Sequence, residues 1–104
     1  MSEYRIEIAI KAKKDIREIH TYITENLKEP NIADKLIDKF EAEILTLRTM
    51  PFRYALERDE QLKQRNLRKL IVDNYLVFYL VREKKKTVYV SRILYARRDW
   101  VNLL

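Results

Sequence analysis

The chain has 104 residues, no cysteine, no glycine, two prolines, one histidine and a net charge of +6. Its length suits one compact domain spanning residues 1–104. The absence of cysteine excludes disulfides, thiolate nucleophiles and most structural zinc sites, and a single histidine removes most other metal constellations, so no cofactor and no metal is expected. No secretory signal is read at the start, and no apolar run approaches the roughly 20 residues of a membrane span, so a soluble, cytoplasmic protein is expected.

The elements follow in order. Tyr4, Ile6, Ile8 and Ile10 alternate with Arg5, Glu7 and Ala9, the period of a half-buried strand. From Lys11 to Leu27 the residues Ala12, Ile16, Ile19, Ile23 and Leu27 recur at helical spacing, with Lys13, Lys14, Asp15, Arg17 and Glu18 on the remaining faces. Pro30 interrupts this helix, and Asn31, a good N-cap, is expected to start a second one. That helix carries Ala33, Leu36, Ile37, Phe40, Ile44 and Leu47 on one stripe until Pro51 closes it.

Phe52 to Asn66 shows neither period and reads as a loop with a helical turn around Asp59 to Lys63, anchored by Phe52 and Tyr54. Three strands follow: Leu67–Val72, Tyr75–Arg82 and Thr87–Leu94. Asp73-Asn74 makes the first hairpin turn, with Asn74 the natural residue for a positive φ in a chain without glycine. Tyr75 to Val81 is apolar on both faces, which predicts a central strand with helices on one side and a face open to a partner on the other. The fold class expected is α+β in the order β-α-α-β-β-β, a two-helix hairpin on a small, mainly antiparallel sheet.

Charge is unevenly placed. Residues 1–50 hold nine Lys/Arg against ten Asp/Glu, whereas residues 51–104 hold thirteen against six. A basic second half suits nucleic acid, a ribosome or an acidic peptide, or simply a solvated surface. The Lys84-Lys85-Lys86 run reads as a solvated hairpin tip, and His20 as a surface residue, since no second histidine or nucleophile completes a site. Asp99 reads as the N-cap of a final helical turn that pairs an arginine. The tyrosines of the strands could all be sheet aromatics with hydroxyls at the surface.

The segments Leu67-Arg68-Lys69-Leu70, Asn74-Tyr75-Leu76-Val77-Phe78-Tyr79 and Arg92-Ile93-Leu94-Tyr95-Ala96-Arg97-Arg98-Asp99, in this order of elements, resemble the RelE/ParE superfamily of bacterial type II toxins. The resemblance implies a growth-inhibiting toxin held silent by a cognate antitoxin, with no small-molecule substrate and no membrane. RelE-like members cut mRNA on the ribosome, and ParE-like members poison DNA gyrase. The cutting chemistry needs an activated 2′-hydroxyl, charge stabilisation on phosphate and a proton for the leaving oxygen. Related nucleases place an arginine where this chain has Leu76 and a histidine where it has Leu94, and a tyrosine in the C-terminal tail is missing. A ParE-like gyrase binder is therefore the first reading, with a ribosome-dependent endoribonuclease of altered site and a non-toxic, antitoxin-binding relic of the family as the alternatives. Should the chain be a ribonuclease, Arg68, Tyr95, Arg97 and Arg98 would be its catalytic residues, with Lys69 an alternative to Arg68. Leu76, Phe78, Arg92 and Trp100 are expected to bind a partner, although Arg92 could instead reach a carboxylate of the chain itself.

Overall fold

The computed structural model describes residues 3–98 and 100–104, with the side chains of Val101 and Asn102 excepted. Four strands, β1 (Arg5–Ile8), β2 (Arg68–Val72), β3 (Tyr75–Arg82) and β4 (Thr87–Tyr95), form one sheet in the order β1-β4-β3-β2. β1 lies parallel to β4, and the other pairs are antiparallel. Two helices, α1 (Ile10–Thr21) and α2 (Pro30–Leu45), cover one face, so the architecture is the α+β arrangement expected. The main core lies between them: Ala12, Ile23, Leu36, Phe40 and Ile44 from the helical side meet Leu70, Val72, Val77, Tyr79, Val88 and Val90 from the sheet.

The ends of the helices depart from the sequence reading for local reasons. α1 starts at Ile10, which leaves the strand and is 83% exposed. α2 starts with Pro30 at its first turn rather than after an Asn31 cap, because the fixed φ of proline suits that position and its missing N–H is not needed there. It ends at Leu45, ahead of Pro51, and tightens into a 3₁₀ turn over Thr46–Arg48. After Thr21 the chain widens into a π turn over Tyr22–Asn26, in which the Leu27 N–H donates to the Tyr22 carbonyl at 3.2 Å. The wider turn shifts the helical stripe, and Leu27, expected in the core, is half exposed.

The β2–β3 hairpin places its positive φ at Asp73 (52°), not at Asn74, as a turn with φ > 0 at its first central residue demands. Lys39 of α2 steadies that turn, with Nζ 3.3 and 3.2 Å from the two Asp73 carboxylate oxygens.

The expected helical turn is present as α3 (Glu60–Gln64). Asp59 caps it, accepting from the N–H groups of Gln61 (3.0 Å) and Leu62 (3.2 Å). It closes with Asn66 in the left-handed region (φ 59°), where the Asn66 N–H reaches the Lys63 carbonyl and the Leu67 N–H reaches that of Leu62. This pair of bonds is the Schellman arrangement, and it sets Leu62 against Leu67.

That contact starts a second apolar layer on the far face of the sheet. Leu62, Leu67, Leu76, Phe78 and Leu94 are buried together, and Leu80, Trp100, Leu103 and Leu104 pack on them. The face expected to be open is thus covered by α3 and by the 3₁₀ turn Trp100–Leu103 of the same chain. Asp99, the expected cap of that last turn, lies outside the described residues.

Tyr79 is fully buried on the helix side and donates its hydroxyl to the Pro51 carbonyl at 3.0 Å. Burial pushes its hydroxyl pKa up to about 12, partly countered by the nearby Arg68 charge. This hydrogen bond anchors the segment that leads from α2 into the loop.

Candidate functional site

The chemistry-bearing end of the chain is organised by a break in the sheet. β1 stops at Ile8, opposite Val90, so among the described residues no strand lies beside the outer edge of β4 beyond that point. Here the β3–β4 register shifts between Phe78 and Tyr79, leaving Ser91 as the extra residue, with Oγ donating to the Phe78 carbonyl at 3.2 Å. The bulge exchanges the faces: Val90 and Ile93 both turn toward the helices, whereas Arg92 and Leu94 turn toward the second layer. Arg92 therefore shares a side with Leu94 but not with Val90.

Asp15 of α1 fills the gap beside β4. Its carboxylate accepts from the Ile93 N–H (2.9 Å) and from Arg92 Nε (2.8 Å) and Nη2 (3.0 Å). Arg92 Nη1 donates in turn to the Leu103 carbonyl at 2.7 Å. One side chain thus ties α1, β4 and the C-terminal turn together. The hydrogen bonds it donates to Asp15 hold the Arg92 guanidinium pKa above its ordinary value against the opposing effect of burial. Asp15, read from the sequence as an outward residue, is 7% exposed. Arg92, expected to meet a partner, spends its hydrogen bonds inside the chain.

The other residues expected to bind a partner are also placed. Leu76 is buried opposite Leu94, and Phe78 is fully buried, with the Trp100 ring 5.1 Å away. Trp100 is half-buried, and Lys69 Nζ lies 5.3 Å from the centre of its ring. Neither leucine presents a polar group at the positions where the related nucleases carry arginine and histidine.

The residues named for a ribonuclease separate into two places. Arg68 pairs with Tyr79, which pairs with Val90, whereas Tyr95 pairs with Tyr75 at the other end of β4. Along β3 the two levels, Tyr79 and Tyr75, lie about 14 Å apart at ~3.4 Å per residue. Arg68 donates to the Tyr54 carbonyl and lies over the Phe52 ring at 5.1 Å. Its neighbour Lys69 pairs with Glu57 at 3.4 Å. Tyr95, Arg97 and Arg98 do stay together, all exposed, in the turn where the Ala96 N–H bonds the Asn74 carbonyl and the Arg98 N–H bonds the Tyr95 carbonyl. His20, read as a surface residue, lies at the helix surface and contacts Asp34 of α2 at 2.8 Å.

A groove of about 690 Å³ opens beside this turn, between the α1–α2 connection and the start of β3. Glu18, Tyr22, Leu27, Ile32, Tyr75 and Tyr95 line it, with Arg98 also at its wall. Tyr22, Leu27 and Ile32 are each more than half exposed, so the groove continues into an apolar surface patch. Sequence reading missed it because helical periodicity assigned Leu27 to the core. The π turn is what brings Leu27 to the surface beside Tyr22.

Sequence and fold comparisons agree on the class. The model of the ParE toxin of the type II toxin-antitoxin system parDE matches residues 6–100, and the chain belongs to that family, within the RelE/ParE superfamily. A search of curated proteins finds no match. Among solved structures, the chain is similar to the chromosomal ParDE system of P. aeruginosa, with 18% identity and a TM-score of 0.74 over 91% of this chain and 98% of that one. It is also similar to the RelBE2 toxin-antitoxin complex of Mycobacterium tuberculosis, with 17% identity and a TM-score of 0.64 over 91% of this chain and 93% of the other. A free mutant form of the E. coli toxin RelE matches with 19% identity and a TM-score of 0.57 over 97% and 92%. The protein is thus a toxin of the type II class. Among the described residues no helix is long and apolar enough to cross a membrane.

Proposed function

We propose that this chain arrests bacterial growth from the cytoplasm by binding DNA gyrase, and that a cognate antitoxin occupying the groove beside Tyr95 silences it. The observation that carries this reading is the dispersal of the candidate nuclease groups. Arg68 is committed to Tyr54 and Phe52 about 14 Å along the sheet from the level of Tyr95. Leu76 and Leu94 are buried against one another and offer nothing to a phosphate. Transfer of a proton and stabilisation of a phosphate require groups within hydrogen-bond reach of one reacting centre. The family match to ParE toxins supports the same choice. An antitoxin partner is supported by the solved relatives, which are described as toxin-antitoxin systems and complexes.

The second reading is a ribosome-dependent endoribonuclease with an altered site. What favours it is the exposed trio Tyr95, Arg97 and Arg98 within one turn. The two readings separate in a growth assay after induction without antitoxin. Tyr95→Phe and Arg98→Ala are each expected to arrest growth as the parent chain does, because neither removes an apolar contact. If both variants lost toxicity while remaining folded, the endoribonuclease reading would replace the gyrase one.

A further inference from the structure

Although the chain as a whole is basic, the groove is not. Its wall carries the carboxylates of Asp15, Glu18 and Glu29 against the single guanidinium of Arg98. Asp15 is consumed by Arg92 and the Ile93 N–H, which leaves Glu18 and Glu29 against Arg98. Glu18 has only a long contact of 3.9 Å to Lys14, with both side chains well exposed. Such a pair holds little energy and gives way readily to a better partner.

The rings of Tyr22, Tyr75 and Tyr95 line the same groove. Tyr75 and Tyr95 have ring centroids 5.6 Å apart and planes inclined at 61°, and Tyr75 is fixed from behind by an edge contact with Phe40 at 5.6 Å. Burial, and then the proximity of the Tyr95 and Tyr22 hydroxyls, raises the Tyr75 pKa. Inclined aromatic faces beside free carboxylates are the surroundings in which a guanidinium or ammonium is held, by attraction to the ring quadrupoles and by charge pairing at the rim. Leu27 and Ile32, about half exposed, supply the apolar shelf next to them.

Resting on the antitoxin reading above, we propose that the groove selects an amphipathic antitoxin segment by seating one arginine or lysine among Tyr22, Tyr75 and Tyr95 while flanking aliphatic side chains cover Leu27 and Ile32. An acidic segment, the partner that the overall charge would suggest, is directed elsewhere on the chain.

The test uses the full chain and a phage-displayed library of random 16-residue peptides, followed by anisotropy titration of synthetic peptides from the enriched set. Enriched sequences are expected to carry Arg or Lys between aliphatic residues. Replacing that basic residue by norleucine is expected to weaken binding about tenfold, as should Tyr22→Ala, Tyr95→Ala and the double change Glu18→Gln with Glu29→Gln. These sites are at the surface, and circular dichroism of each variant checks that it remains folded. Enrichment of acidic peptides, failure to enrich any, or affinity untouched by Tyr22→Ala and by the double change would each overturn the proposal. The growth assay is independent of this result. A chain that binds such peptides but does not arrest growth would remove the gyrase reading and keep the groove; a toxic chain whose peptides ignore the groove would do the reverse.

Discussion

Asp15→Ala is expected to destabilise the protein by about 3–5 kcal/mol, the cost of leaving one member of a buried ion pair without its partner. The carboxylate holds the Arg92 guanidinium through two hydrogen bonds and also closes the Ile93 N–H where β1 has ended. The residue left behind, Arg92, is itself mostly buried, with its side chain 19% exposed, and among the described residues would keep only the Leu103 carbonyl. Since small domains have about 5–15 kcal/mol of total stability, such a loss removes a large fraction of it. Urea unfolding followed by circular dichroism measures the loss. Asp15→Asn is the informative companion, because its amide oxygen can still accept from Ile93 while the charge is gone. A smaller loss is expected for it. Equal and near-zero effects of both changes would show that the pin contributes nothing.

The second large effect is expected for Phe78→Ala. Phe78 is fully buried on the far face of the sheet, beneath Trp100 and beside Leu76 and Leu94. Removing a buried phenyl ring costs about 3–5 kcal/mol through lost transfer energy and the cavity left behind. Trp100 is the only tryptophan of the chain, so its emission reports this layer without labelling. In the variant it should shift to the red under conditions where circular dichroism still shows the helices, because the C-terminal turn loses its seat before the sheet and helices come apart. A variant with parent-like stability and emission would mean that the turn does not seal this face.

The framework of this fold is written in apolar periodicity. Ile6 and Ile8 alternate as a strand should, and Ala33, Leu36, Phe40 and Ile44 mark the buried stripe of α2. Asp59 caps α3 as its chemistry suggests. What the sequence hides are single-residue insertions and long-range partners. The π turn after Thr21 adds a residue to a helix without any proline or glycine to signal it, and it converts Leu27 from core to groove. The bulge at Ser91 inverts the faces of β4 in the same silent way, so Arg92 is aimed by a register that alternation misassigns. Asp15 reads as a surface carboxylate because its partner is 77 residues away. Phe78 and Leu76 were legible as apolar on the second face, but the short segments that cover them, α3 and the last turn, have too little periodicity to announce their role.

The candidate site follows the same division. The exposed cluster Tyr95, Arg97 and Arg98 is legible as a basic strand end, and the structure keeps it together. Arg68 belongs to the same list by residue type alone, and the sheet register sets it at the far end of β2, level with Val90 in the middle of β4. The groove required the tertiary structure, since its walls come from the α1–α2 connection, the first residue of β3 and the last of β4.

The measurement closest to the central claim is pulse labelling of DNA and protein synthesis in bacteria, within minutes of inducing the chain without antitoxin. A gyrase-directed toxin predicts that thymidine incorporation collapses first while methionine incorporation continues. Early collapse of methionine incorporation with DNA synthesis intact would contradict the account and make Tyr95, Arg97 and Arg98 a nuclease site.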